Sequence, residues 1–264
     1  PMEVKQLNEI VTSAGKIALD YFGKVDVSYK EDRSVVTQAD LEVEKFLYDK
    51  LTRLIPGSGF VGEEGTLEKA NESDYLWLVD PIDGTSSYIY RLPIWGVSVA
   101  LFKSGQPCMA SLYFPVINEH YWADENSASL NGEPLKPLEA NREVRSESFI
   151  CIPSKRYYRC QMEIQFKARS FGSSCYHVCQ ATRDSAYATI MGDYKIWDLA
   201  GGAVIGARTG SLLFDMEGNE VSPGSLIASS ERMPTLVITH PDRVSNLLDR
   251  IQVRQVDVKK TGQL

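Results

Sequence analysis

Two aspartates, Asp80 and Asp83, stand three residues apart in the run WLVDPIDGTSSY (77–88), directly after the apolar segment Tyr75–Val79. Glu63 and Glu64 follow the short apolar stretch GFVG (59–62), and Asp198 lies at the start of IWDLAGG (196–202). Each of these carboxylates falls where an expected strand ends or an expected helix begins. In α/β folds, ligands collect at such places, because loops and backbone N–H groups converge there. Three or four carboxylates brought together would repel one another unless a cation compensated them, and oxygen donors of this kind suit Mg²⁺, Mn²⁺ or Ca²⁺. Taken singly, each piece has a plainer reading. GEE reads as solvated surface, Asp-Pro with Asp-Gly as turn chemistry, and the aspartate of WD as a helix cap.

The elements that must position these groups follow from periodicity. Apolar residues at Val4, Leu7, Ile10, Val11, Ala14, Ile17, Ala18 and Tyr21 predict a helix over 4–21 with one buried face. A second amphipathic helix is expected over 38–55, its start marked by Thr37 and Asp40 in a capping-box spacing. VDVSYK (25–30) reads as a strand, and 59–124 as a succession of strands separated by turns such as SGQP. Further on, a strand is expected near 147–152, helical segments near 155–168 and 173–182, and a strand near 186–190. The spacing predicts a helix over 196–210 closed by Gly210, strands at 211–215 and 235–239, and a last helix at 241–252. This mixed order implies layered α/β architecture rather than an all-β sandwich. A composition change near 140–145 divides the chain into an N-terminal α+β half (1–142) and a smaller C-terminal α/β half (143–264).

Composition narrows the function classes. The 264 residues suffice for a full core, and the net charge of −7 comes without a basic stripe, which excludes nucleic-acid backbone binding. No apolar run approaches the roughly 18–20 residues that span a bilayer, so no membrane partner is expected. The N-terminal residues lack the pattern of a secretion signal. Five cysteines without tight pairing suit reduced thiols in a cytoplasmic protein. Cys175 and Cys179, with His177 between them, allow a zinc site but fit small packing residues better.

In combination and in order, GEE (62–64), WLVDPIDGT (77–85) and WDLAGG (197–202) resemble the signature segments of the inositol monophosphatase family, within the lithium-sensitive, Mg²⁺-dependent phosphatase superfamily. VTQAD (36–40), FGSSCYH (171–177) and TGSLLFD (209–215) add to the resemblance, which runs from about residue 5 to 240. It implies the α-β-α-β-α sandwich of the inositol monophosphatase and fructose-1,6-bisphosphatase type, and a homodimer. It also implies two or three Mg²⁺ ions per site, with Mn²⁺ as a substitute. The first ion would sit on Glu63, Asp80 and the Ile82 carbonyl, the second on Asp80, Asp83 and Asp198, and a third, weaker one near Glu63. Thr85 and Asp40 would position the attacking water, and a helix starting after Asp83 would aim its N-terminus at the phosphate. Gly84 and Thr85 would bind phosphate through backbone N–H groups, while Asp83, Gly172, Ser173, Ser174 and Asp198 would contact the substrate. Lys30 corresponds loosely to a basic residue near the metals.

The resemblance implies a small phosphate monoester as substrate, with an inositol phosphate favoured. The match departs where the polyol would bind. Ile190 or Met191 replaces the usual glutamate, Ser87 replaces an asparagine, and Tyr88 keeps an aromatic ring. Asp193 is a possible substitute for the missing carboxylate. Histidinol phosphate, a sugar phosphate such as fructose 1,6-bisphosphate, and a 3′-phosphonucleotide are the rivals. Arg91 and Arg183 read either as surface residues or as contacts to a second anionic group. A non-catalytic family member would have lost some of the carboxylates, and all are present.

Overall fold

In the computed structural model of the chain, residues 4–24, 27–29, 35–68, 73–154, 160–228 and 233–255 are described. Helix α1 (Val4–Tyr21) is followed by a ribbon of β1 (Val27–Tyr29) and β2 (Val35–Thr37), then α2 (Gln38–Leu54). An eight-stranded sheet follows, formed by β3 (Gly59–Gly62), β4 (Leu67–Glu68), β5 (Tyr75–Asp83), β6 (Gly96–Lys103), β7 (Gln106–Phe114), β8 (Glu119–Ala123), β9 (Ala128–Leu130) and β10 (Glu133–Pro134). Its spatial order is β10-β9-β8-β7-β6-β5-β3-β4, with the short helix α3 (Thr85–Ile89) leaving β5. Among the described strands of this sheet, only the β3–β5 pair is parallel.

The second sheet has five strands in the order β13-β11-β14-β16-β15. They are β11 (Phe149–Cys151), β13 (Lys167–Arg169), β14 (Ala188–Met191), β15 (Leu212–Phe214) and β16 (Leu236–Thr239). Two helices, α4 (Ser174–Thr182) and α5 (Ile196–Thr209), lie between the sheets. The chain continues through α6 (Pro223–Ala228), a 3₁₀ turn (Pro241–Arg243) and α7 (Val244–Leu248). A separate antiparallel ribbon joins β12 (Cys160–Ile164) to β17 (Ile251–Gln255).

Strand alternation builds the layers. Trp77 and Val79 of β5 pack with Leu7, Val11, Val43 and Leu47 of α1 and α2, while Leu76 and Leu78 face Cys179, Ala200 and Val204 of α4 and α5. On the far side of those two helices, Val178, Leu199 and Ala203 meet Met191, Leu236 and Ile238 of the second sheet. The opposite face of that sheet carries Ile150, Ile190 and Val237 against Leu247 and Ile251. Four apolar interfaces therefore separate five layers, which is the expected α-β-α-β-α sandwich.

The central helices approach closely because α5 carries two adjacent glycines. A Cβ on Gly202 would come within 2.2 Å of Val178 Cγ1, and one on Gly201 within 2.8 Å of Ser98 Oγ. Gly201 thus lets α5 lie on the first sheet, and Gly202 lets it lie against α4.

Two expectations are corrected. The segment 155–168 is not helical where it is described, since 160–164 forms β12, and 167–169 forms β13 beside β11. The last helix ends at Leu248, and Ile251–Gln255 pairs with β12 instead. Both segments alternate apolar and polar residues, CQMEIQFKAR (160–169) and IQVRQ (251–255), a strand period that outweighs the helical expectation.

Candidate active site

Asp80 and Asp83 lie on the same side of β5 although three residues separate them. In a regular strand they would point to opposite faces. Pairing with β6 shifts register between them: Asp80 is opposite Ser98, but Asp83 is opposite Gly96. This bulge reverses the alternation. Ile82 consequently joins Trp77 and Val79 in the core beneath α1 and α2, and Asp83 turns toward the interlayer helices. Bulges re-aim side chains in this way beside functional sites.

Asp83 is 3% exposed and caps α4 from outside its own segment. Its Oδ1 accepts from Ser174 N at 3.0 Å and its Oδ2 from Cys175 N at 3.1 Å, and the Ser173 hydroxyl donates to it as well. Burial, followed by the charge of Asp198, pushes the Asp83 carboxyl up to about 7, against the lowering effect of those donors. Asp80 is 1% exposed and is raised well above the ordinary carboxylate range, first by burial and then by Glu63, Asp83 and Asp198. Asp198 stands in the first turn of α5, where its Oδ2 accepts from Lys195 N at 2.8 Å. Glu63 begins the turn after β3, its N–H donating to Val79 O at 3.2 Å. Four carboxylates from β5, the β3 turn and α5 are thus near enough to perturb one another.

The donor set fits divalent cations. Among the described residues Asp80 Oδ1 is buried with no hydrogen-bond partner, an arrangement costly for a carboxylate oxygen unless a cation meets it. Oxygen ligands predominate, as Mg²⁺ and Mn²⁺ prefer. Cys175 is an unanticipated neighbour: its sulfur and one oxygen each from Asp80 and Asp83 lie within 4.8 Å of one another.

The remaining expected residues have assigned places. Asp40 Oδ2 accepts from Thr37 N at 2.8 Å and from the Thr37 hydroxyl at 2.6 Å, so it does cap α2. Thr85 Oγ1 donates to the Ile82 carbonyl at 3.2 Å. Gly84 precedes α3, which is only five residues long and so carries little macrodipole. The Gly172 carbonyl accepts from Ser87 Oγ at 3.2 Å, and Ser173 and Ser174 hold Asp83. Lys30 lies outside the described residues.

Several groups weighed as substrate contacts have structural employment. Tyr88 is buried, donates its hydroxyl to Ala18 O at 2.6 Å and meets Trp95 edge-on. Arg91 donates to Gly23 O at 3.1 Å, and Arg183 pairs with Glu119 at 3.1 Å. Ile190 and Met191 are fully buried on opposite faces of β14, and Asp193 is exposed at a positive φ of 62°. His177 Nε2 accepts from Phe171 N at 2.7 Å, its ring held neutral by burial, with a pKa of about 4. Cys175 and Cys179 are both packed in the core between the first sheet and the interlayer helices. Glu44, overlooked in the sequence, is a buried carboxylate on α2 that binds the turn carrying Glu63. Its signal was its place one helical turn after Asp40.

Comparison with known proteins agrees with this geometry. The profile of the inositol monophosphatase family matches residues 3–244. A fructose-1,6-bisphosphatase/inositol-1-monophosphatase of Thermotoga maritima is 26% identical over 221 residues, covering 81% of this chain and 85% of the relative. A histidinol-phosphatase of Chlorobaculum parvum is 29% identical over 221 residues, covering 80% and 85%. A solved IMPase structure from Thermotoga maritima superposes with a TM-score of 0.78 at 22% identity, covering 92% of this chain and 94% of that one, a likeness of fold.

Proposed function

The chain belongs to the inositol monophosphatase family, and from that premise we propose that it hydrolyses a small phosphate monoester with Mg²⁺, an inositol monophosphate being the leading substrate. The observation that carries the reading is the buried, unpartnered Asp80 oxygen surrounded by Glu63, Asp83 and Asp198. Glu63, Asp80 and the Ile82 carbonyl would hold one ion, and Asp80, Asp83 and Asp198 a second. Glu63 would also face a third, more weakly held ion. Bound divalent ions supply a more acidic water and neutralise charge on the phosphoryl oxygens.

The chain's own groups do the positioning. Thr85 and Asp40 would together position the attacking water, the Thr85 hydroxyl turning from the Ile82 carbonyl that it meets in the structure and Asp40 remaining held by Thr37. Backbone N–H groups of Gly84 and Thr85 hold the phosphate oxygens where charge develops. Ser173 and Ser174 act on the substrate through Asp83, which they fix, and Gly172 lies exposed beside them. The same reading takes residues 1–142 and 143–264 as two halves meeting at the site, in a cytoplasmic homodimer sensitive to lithium.

Histidinol phosphate is the second reading. Ile190 and Met191 are buried in two cores, so β14 offers no carboxylate to a polyol there. The relative named histidinol-phosphatase points the same way. The test is phosphate release with Mg²⁺ from inositol 1-phosphate, histidinol phosphate, fructose 1,6-bisphosphate and a 3′-phosphonucleotide. Loss of an outer partner of a metal ligand already costs roughly 10–100-fold, so Asp80→Asn should lose more than about 100-fold. Equal turnover by Asp80→Asn, or no release by wild type across the panel, overturns the assignment.

A further inference from the structure

Glu44 has no place in the reading above, yet it is 2% exposed and carries a carboxylate. It lies on α2 one turn after Asp40, on the same helix face. Its Oε2 accepts from Glu64 N at 2.7 Å and its Oε1 from Thr66 N at 3.1 Å. Both donors belong to the tight β3–β4 turn that starts with Glu63. The turn is closed on itself by Gly62 N to Thr66 O at 2.9 Å. A further helical turn on, Tyr48 donates its hydroxyl to Glu68 on β4. On its other side the hairpin is held by the β3–β5 pairing and by Glu63 N to Val79 O at 3.2 Å, while β4 is a two-residue strand at the sheet edge, so α2 braces the outer half of the turn.

The approach is close enough to dictate sequence. A Cβ on Gly62 would fall 2.4 Å from Glu44 Oε2 and 2.8 Å from Oε1. Gly62 is therefore the residue that lets the carboxylate reach the turn amides. A buried carboxylate spanning two backbone N–H groups is a rigid clamp, since each bond is charge-assisted.

We propose that Glu44 is a positioning residue that sets Glu63 against Asp80 and so tunes the metal affinity of the site. The inference rests on the reading of Glu63 as a metal ligand, and it adds a supporting shell from α2. The same helix then holds Asp40 in its first turn and the Glu63 turn from its second, which couples the groups assigned to water and to metal.

The test is Mn²⁺ binding, followed by calorimetry and by the electron paramagnetic resonance of free Mn²⁺, on wild type, Glu44→Ala, Glu44→Gln and Gly62→Ala. Loss of such an outer partner weakens metal binding by roughly 10–100-fold, and that is the expected shift for Glu44→Ala. Gly62→Ala should reproduce it with the carboxylate still present, by pushing the carboxylate off the turn. Glu44→Gln should fall between, because its amide oxygen can still accept one bond. In the kinetic arm, the Mg²⁺ concentration for half-maximal rate should rise while kcat recovers at saturating Mg²⁺. If Glu44→Ala does not fold, Gly62→Ala and Glu44→Gln carry the comparison. Folded variants that melt earlier but bind Mn²⁺ as tightly as wild type overturn the proposal alone. Absence of Mn²⁺ binding by wild type overturns it together with the metal-site reading.

Discussion

Ser173 uses a single hydroxyl twice. It donates to Asp83 and accepts from Tyr176 N at 3.0 Å, so one group caps α4 and steadies a carboxylate of the site. Ser173→Ala should therefore cost about 1 kcal/mol as a lost N-cap and also weaken metal binding, whereas Ser173→Thr should preserve both. Urea unfolding and Mn²⁺ titration of the two variants would separate these effects; unchanged metal binding in Ser173→Ala would deny the link to Asp83. The candidate carboxylates were legible in the sequence, because an aspartate that interrupts an apolar strand needs a reason. The double task of Ser173 was not, since its partner lies 90 residues away. Tyr88 misled for a related cause: an aromatic beside a motif looks available until the Ala18 carbonyl that takes its hydroxyl is known.

At the scale of elements, the site depends on an irregularity in β5 and on close contact between α4 and α5. The bulge between Asp80 and Asp83 turns two carboxylates to one side, and nothing in the spacing of DPID alone distinguishes it from an ordinary turn. The glycine pair of α5 has a clearer consequence. Gly202→Ala places a methyl against Val178, within a core that has no slack, and such overpacking costs typically about 1–3 kcal/mol. Denaturant midpoints should show that loss, and a combined Gly202→Ala, Val178→Ala variant should regain part of it. A Gly202→Ala protein as stable as wild type would mean that the helices can separate freely. Helices α1 and α2 were readable from 3.6-residue periodicity, because each buries one apolar face, whereas α5 is buried on nearly all sides between two sheets and was marked instead by its length and its Gly210 C-cap. The pair β12 and β17 was legible too, since CQMEIQFKAR (160–169) and IQVRQ (251–255) alternate apolar and polar residues at the strand period, but their pairing across about 90 residues was not.

At the scale of the whole molecule, the carboxylates draw β5 of the first sheet, the β3 turn and the interlayer helices α4 and α5 to one point, and burial of their charge opposes folding. For Asp83 the carboxyl rises from an ordinary 3.8 to about 7 in the fold, and Asp80 moves in the same direction. Between those limits the folded chain binds more protons than the unfolded chain, so stability conferred by the protonated cluster is present below about pH 4 and is lost as pH rises through 7. A divalent cation reverses this, because it binds the deprotonated carboxylates and only the folded chain gathers them. Bound at 100 times its dissociation constant, a single ion stabilises by about 2.7 kcal/mol. The expected outcome is a Tm in EDTA that, for this cluster's share, falls from about pH 5 to about pH 8, and a Tm gain on adding Mg²⁺ that widens over the same interval. In Asp80→Asn one buried charge is gone, so the EDTA curve should flatten and the Mg²⁺ gain should shrink together. Scanning calorimetry of both proteins across that range decides the matter, and a Mg²⁺ gain independent of pH would contradict metal binding at these buried carboxylates.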